Sequence, residues 1–129
     1  MANFRLESAP MAATAQLYKW DEVVLEQVRD GISRKFIAGD REMVAQISLK
    51  RGATVPTHAH ESEQLTYVLT GALKFTLDGH DVTVHAGELL HIPSWMPHSA
   101  EAVEDTFELD LFSPIRQDWI DGTDDYFRT

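Results

Sequence analysis

Short runs that alternate between hydrophobic and polar residues make up most of the chain from about residue 32 onward. The runs are ISRKFIA, MVAQISL, QLTYVLT, ALKFTL, DVTVH, ELLHIP and TFELDLF. Alternation with a period of two is typical of β-strands, because successive side chains point to opposite faces of a sheet. Glycine or proline separates most of the runs, and Asp78-Gly79 is a strong hairpin signal. The pattern predicts an all-β fold, a sandwich or barrel of mainly antiparallel strands.

The two ends of the chain depart from this alternation. Residues 1–17 are small, mixed and aperiodic, so we interpret them as an N-terminal arm ahead of one domain that spans residues 18–129. Near the other end, Ser113 is a candidate N-cap, Pro114 suits the first position of a helix and Gly122 is a typical stop. We therefore predict one short C-terminal helix that starts at Pro114 and ends before Gly122.

Two of the predicted strands have an apolar face and a more polar face. The apolar positions are Leu65, Tyr67 and Leu69 in the first strand, and Leu109 and Leu111 in the second. The polar faces carry the residues with potential chemistry, so the apolar faces need a cover of their own, from a second sheet, the arm or a second subunit. Because large exposed apolar patches usually mark interfaces, we predict a homodimer.

Composition excludes several kinds of partner. The formal net charge of −10 argues against nucleic acid and against anionic membrane surfaces, since both are bound by clustered Lys and Arg. The first residues lack the pattern of a secretory signal, and no apolar run approaches the roughly 20 residues that span a membrane. Cysteine is absent, which is compatible with the reducing cytoplasm that we predict as the location. Any metal must therefore be held by nitrogen and oxygen ligands.

Histidines indicate where such a metal would bind. His58 and His60 lie two residues apart, so in an extended chain both side chains point to one face. Alone, such a pair is more often a pair of surface histidines than a metal site. Here it belongs to a longer pattern, G-x5-H-x-H-x3-Q-x6-G, which runs from Gly52 to Gly71. A second cluster of glycine, proline and apolar residues follows and ends at His98.

The two motifs together resemble those of the cupins, small barrels built as a double-stranded β-helix, also called a jelly roll. The resemblance implies one divalent metal ion, of the set Ni, Zn, Fe, Mn and Co, with four ligands: His58, His60, Gln64 and His98. Two positions depart from the usual cupin pattern, since Gln64 replaces a glutamate and His85 replaces a proline. Three imidazoles and an amide leave the full charge on the metal, which suits a Lewis acid better than an iron that cycles through Fe(III). Glu63 is the neighbouring alternative to Gln64, but strand alternation turns it to the other face.

The segments HAHESEQLTYVLTG and LDLFSPIRQDW resemble the KdgF-like branch of the cupins. Proteins of that branch act late in pectin and alginate breakdown and open a cyclic 4,5-unsaturated uronate to its linear keto form. The resemblance places Asp110, Phe112 and Arg116 in the active site. It implies that Asp110 transfers protons, that Arg116 holds the carboxylate of a sugar acid and that Phe112 walls the sugar face.

Two other functions compete with this hypothesis. One is an Fe(II)-dependent cupin dioxygenase, and the other is a non-catalytic cupin that binds a small molecule. The neutral Gln64 argues against the dioxygenase, and the combination of Asp110 with Arg116 favours an enzyme over a binding module. The aromatic residues Trp119, Tyr126 and Phe127 are interpreted as packing residues that close one end of the barrel.

Overall fold

The computed structural model describes residues 14–128, with the side chain of residue 128 left out. Ten strands and two short helices make up its regular structure, together with a 3-10 turn at Trp20–Glu22. The strands are β1 Glu26–Arg29, β2 Ile32–Ala38, β3 Met43–Leu49, β4 Thr54–His58, β5 Glu63–Thr70, β6 Ala72–Leu77, β7 His80–His85, β8 Leu89–Ile92, β9 His98–Ala102 and β10 Thr106–Ser113. The helices are α1 Gln117–Asp121 and α2 Asp125–Arg128.

The strands form two antiparallel sheets that face each other. One sheet has the order β1-β2-β3-β10-β5-β8 and the other has the order β4-β9-β6-β7. The prediction of an all-β fold is confirmed, and each of the seven alternating runs is a strand. The pattern did not reveal β1, β4 or β9. These strands are only four or five residues long, and β4 contains Pro56, which weakens its strand signal.

Alternation within the larger sheet decides which side chains enter the barrel. In β5 the buried residues include Gln64 and Thr66, and in β10 they include Asp110 and Phe112. The ladder between the two strands places Asp110 opposite Thr66, and Phe112 opposite Gln64. Glu63 points outward, where its carboxylate lies 2.6 Å from the His91 ring, as alternation predicted. The polar face of both strands therefore lies inside the barrel.

Gly71 explains why the first motif ends in a glycine. It has a φ of +91° in the turn between β5 and β6, a left-handed conformation that favours glycine. A Cβ at this position would also collide with the backbone carbonyl of Asp105. The motif glycine is thus required by the tight contact between the β5–β6 turn and the start of β10.

The predicted C-terminal helix starts too early. Ser113 still pairs with Glu63 in the β5–β10 ladder, so it continues the strand and does not cap a helix. The helix begins at Gln117, with Arg116 at the N-cap position. Its end is confirmed, since Gly122 is the C-cap with a φ of +71°. A second helical turn, α2, was not predicted.

A buried ion pair fastens this C-terminal segment to the larger sheet. Arg34 is fully buried on β2, and its Nη1 donates to Asp124 Oδ2 at 2.8 Å. The guanidinium carbon of Arg34 also lies 4.0 Å from the centre of the Trp119 ring. Breaking a buried ion pair by removing one partner typically costs about 3–5 kcal/mol, and Arg34 also donates to Glu26 Oε1 at 2.8 Å. The pair therefore holds α1 and α2 over one end of the barrel.

The outer face of the larger sheet carries Leu65 and Leu111, as predicted, together with polar residues such as Glu63. A groove of about 730 Å³ runs along it, with Thr14 and Tyr18 among the residues that line it. Within residues 14–128, no helix has the length and apolar character needed to cross a membrane. The cytoplasmic location stays a prediction, and the predicted arm at residues 1–17 lies largely outside the described residues.

Candidate metal centre

The three predicted histidine ligands lie together inside the barrel. His58 ends β4 and His98 begins β9, and the ladder between these strands places the two residues opposite each other. His60 follows two residues after His58, and its ring centre lies 5.1 Å from that of His98. One ring nitrogen from each histidine lies within 4.8 Å of the other two. A pairing between strands that are 40 residues apart in sequence thus assembles the cluster.

Backbone carbonyls orient all three rings. The Nδ1 atoms of His58, His60 and His98 lie 2.8, 2.9 and 2.8 Å from the carbonyl oxygens of Pro56, Ser62 and Met96, respectively. A carbonyl oxygen only accepts, so each Nδ1 carries the proton and each Nε2 keeps its lone pair. The Nε2 atoms of His60 and His98 are buried and have no hydrogen-bond partner among the described residues. A buried imidazole nitrogen that has a lone pair and no hydrogen-bond donor nearby is suited to bind a divalent cation.

Gln64 lines the same cavity as His58 and His98. Its Nε2 donates to Thr66 Oγ1 at 2.9 Å and to Asp110 Oδ1 at 3.3 Å, which leaves the amide oxygen for a cation. The Thr66 hydroxyl in turn donates to Asp110 Oδ1 at 2.6 Å. The predicted fourth ligand is therefore hydrogen-bonded directly to the predicted acid/base. Three imidazoles and an amide oxygen form a donor set that suits a borderline divalent metal.

Burial keeps the histidines neutral. It lowers the pKa of His58 from 6.5 to about 3, with a further contribution from the nearby His98. Burial also lowers the pKa of His60 to about 4, helped by the positive charge of Arg116. The pKa of His98 is lowered mainly by burial as well. Neutral imidazole is the form that binds metal, so the site is ready for a cation near neutral pH.

We expect the metal-free protein to lose stability as the pH falls below about 6.5. Below that pH the unfolded chain binds a proton at His58, whereas the folded chain does not until about pH 3. The free energy of unfolding therefore decreases with falling pH, by about 2 kcal/mol at about pH 5 for His58 alone. Urea unfolding in the presence of a chelator, at about pH 7.5 and about pH 5, measures this difference. His58→Gln should show a smaller difference, and an unchanged one would contradict the assignment.

Asp110 is buried beside the cluster. Burial raises the pKa of its carboxyl group, although hydrogen bonds from its neighbours oppose this shift. The Phe112 ring lies 5.7 Å from that of His60 and packs edge-on against it. The predicted acid/base and the predicted wall thus share one cavity with His58 and His98.

Arg116 reaches the same cavity, but part of its guanidinium is already bound. It is 3% exposed, and its Nε and Nη2 donate to the two carboxylate oxygens of Asp118 at 3.0 and 2.9 Å. Nη2 also donates to the Tyr126 hydroxyl. A substrate carboxylate must therefore bind the remaining face of the guanidinium or displace Asp118. This arrangement was not predicted from the sequence.

Two further residues line the cavity and were not predicted as functional. The Tyr126 ring stacks on His58, with ring centres 4.3 Å apart and an interplanar angle of 18°. The packing role predicted for Tyr126 is thus incomplete, because it packs on a candidate ligand. Glu108, on the same face of β10 as Asp110, also lines the cavity of about 40 Å³. Strand alternation carries a signal for Glu108, whereas nothing in the local pattern places Tyr126 there.

Comparisons with known proteins agree with this geometry. The cupin domain family matches residues 45–113, which is more than half of the chain. The chain belongs to the cupin family. Among solved structures, this cupin is similar to KdgF from Halomonas sp., with 32% identity over 82% of this chain and 99% of that one and a TM-score of 0.76. The resemblance to KdgF-like small cupins is confirmed.

More distant cupins share the fold. An RmlC-like cupin from Shewanella frigidimarina is 25% identical over 82% of this chain and 96% of that one, with a TM-score of 0.76. Oxalate decarboxylase from Bacillus subtilis, which has Mn(II) centres, is 19% identical over 84% of this chain and 33% of that one, with a TM-score of 0.69. At that identity the likeness shows the fold alone. The comparison with curated proteins found no match.

Proposed function

We propose that this cupin opens a cyclic 4,5-unsaturated uronate to its linear keto form. The observation that carries the proposal is the direct contact between Asp110 and Gln64, beside three histidines that each place one ring nitrogen within 4.8 Å of the others. It joins a candidate proton carrier to a candidate metal ligand in one cavity. The similarity to KdgF from Halomonas sp. supports the same reaction.

The metal would be held by His58, His60, Gln64 and His98. When bound, a divalent ion supplies Lewis-acid polarisation of substrate oxygens, which suits a reaction without a redox step. The donor atoms are neutral, so the ion would keep its full positive charge. Nickel, zinc, iron, manganese and cobalt all accept such nitrogen and oxygen ligands.

Asp110 would carry a proton from one substrate atom to another. The substrate is a hemiacetal whose ring oxygen is also part of an enol ether. Asp110 accepts the proton of the anomeric hydroxyl as the bond between C1 and the ring oxygen breaks and C1 becomes an aldehyde. The ring oxygen leaves C1 as an enolate, and the same carboxyl returns the proton to C4, so that the enolate becomes the ketone and the reaction is a net isomerisation.

Phe112 and Arg116 would bind and orient the sugar acid. The Phe112 ring lies 5.7 Å from the His60 ring and 5.1 Å from the Arg116 guanidinium, and it would supply an apolar wall of the cavity for the sugar. Arg116 offers a charged, planar group for the carboxylate at C5 of the sugar. Its hydrogen bonds to Asp118 hold the guanidinium in place in the absence of substrate.

We expect Arg116→Lys to weaken substrate binding. Lysine keeps the charge but loses the planar fork, so KM for a carboxylated substrate should rise roughly tenfold or more, the equivalent of about one charge-assisted hydrogen bond. Steady-state kinetics measure this effect, with the exposed Arg51→Lys as the matched control. A large fall in kcat with unchanged KM would contradict the binding role.

The proposed reaction is tested with purified protein and an unsaturated uronate, with the product followed by NMR. The expected result is formation of the linear keto acid, loss of activity after treatment with a chelator and recovery when a divalent metal is added. Absence of turnover with every metal tried would refute the proposal. Oxygen consumption during turnover would favour a dioxygenase in its place.

A homodimer is part of the proposal. The outer face of the larger sheet presents Leu65 and Leu111 in the lining of the groove, and Leu111 is 39% exposed. We expect light scattering at micromolar concentration to give twice the 14.6 kDa mass of the chain. Leu111→Arg should shift the protein to monomer, whereas Val82→Arg, at an exposed apolar position of the smaller sheet, should not. A monomeric wild-type protein would contradict the dimer.

A further inference from the structure

A second carboxyl group lies next to Asp110 and has no part in the reaction proposed above. Glu108 precedes Asp110 by two residues on β10, so both side chains point into the barrel. Glu108 is 3% exposed and lines the same cavity as Asp110. Its neighbours across the two ladders, Ile47 and Val68, are buried hydrophobic residues.

Glu108 lacks the donors that a carboxylate needs. Its Oε1 is buried and meets no hydrogen-bond donor within residues 14–128. The side chain is hydrogen-bonded to the carboxyl of Asp110, which is itself only an acceptor when ionised. A hydrogen bond between two carboxyl groups requires a proton between them, so one of the pair is an acid.

The surroundings of the two groups differ. Asp110 accepts from Thr66 at 2.6 Å and from Gln64 at 3.3 Å, and the positive charge of Arg116 stabilises its anion. Glu108 has none of these partners, and burial together with the charge of Asp110 raises its pKa well above the ordinary value. The negative charge therefore belongs on Asp110 and the proton on Glu108.

We propose that Glu108 is a positioning residue that stays a neutral carboxylic acid and donates a hydrogen bond to the Asp110 carboxylate. This bond, with the one from Thr66, holds Asp110 as an anion in one orientation beside Gln64. Its consequence for turnover rests on the proposed function. The protonated state of Glu108 does not, because it follows from the cavity itself.

The kinetic test compares two substitutions of similar size. Glu108→Gln keeps a donor toward Asp110 and should leave kcat within about threefold of wild type. Glu108→Leu removes the donor and should lower kcat by about 10–100-fold, with KM and metal content unchanged. Because leucine suits a buried apolar position, thermal stability should not fall, which separates this loss from damage to the fold. Equal kcat values for the two variants would overturn the proposal.

Infrared spectroscopy tests the protonation state without any substrate. Protein labelled with ¹³C at glutamate carboxyl groups should show the C=O band of a protonated acid at neutral pH. The band should vanish in Glu108→Gln and remain in Glu104→Gln, the same change at an exposed turn. Absence of the band from the wild type would overturn the proposal. Its presence would support the proposal even in a protein that does not turn over an unsaturated uronate.

Discussion

Asp110→Asn is expected to lower turnover by about 10²–10⁴-fold with little change in KM. Asparagine has nearly the same shape, and its oxygen can still accept from Thr66, which donates to Asp110 Oδ1 at 2.6 Å. What the amide loses is the ability to take a proton from the anomeric hydroxyl and return it to C4. Steady-state kinetics with an unsaturated uronate, with the metal content of each preparation determined, measure the effect.

The kinetics of Asp110→Asn have a matched control variant at an exposed aspartate. Asp78→Asn makes the same change in the exposed hairpin between β6 and β7 and should leave turnover at the wild-type level. Metal content should be unchanged in both variants, since neither residue is a proposed ligand. Near-normal turnover in Asp110→Asn would show that the acid/base role is wrong, and a binding module or an oxygenase would then explain the site better.

The double variant His58→Ala with His60→Ala is expected to lose its bound metal. Wild-type protein should hold about one divalent ion per chain, and removing two of four ligands should leave almost none. The Nδ1 atoms of His58 and His60 bond carbonyls only two residues away in the chain, so the double substitution breaks local hydrogen bonds and the barrel should still fold. Elemental analysis measures the metal, and circular dichroism confirms the fold.

Exposed histidines provide the matched control for this prediction. His80→Ala with His85→Ala removes two exposed imidazoles from the ends of β7 and should leave the metal content unaltered. If the inner double variant binds as much metal as the wild type, the ligand assignment is refuted. If the inner and the outer double variants each lose part of their metal, the protein binds the ion at surface histidines and the assignment is also refuted.

Much of the fold and part of the site were predictable from local pattern. Alternation with a period of two identified seven strands and put Gln64 and Asp110 on one face, because neighbouring side chains of a strand must point in opposite directions. The same rule turned Glu63 away from the site. It could not identify β4 or β9, because these strands are short and their polar residues follow no clear alternation. The capping signals placed the helix start at Pro114, although strand pairing with β5 continues through Ser113 and the helix begins at Gln117.

The sequence alone therefore determined the class of fold, the face of each long strand and the candidate ligands within one motif. Only the tertiary structure decided how residues distant in the chain meet. The β4–β9 ladder brings His98 to His58, and the packing of α1 and α2 over the barrel brings Asp118 to Arg116 and Tyr126 to His58. Local periodicity states which way a side chain points but carries no information on which element packs against it. That choice depends on burial and pairing summed over the whole chain.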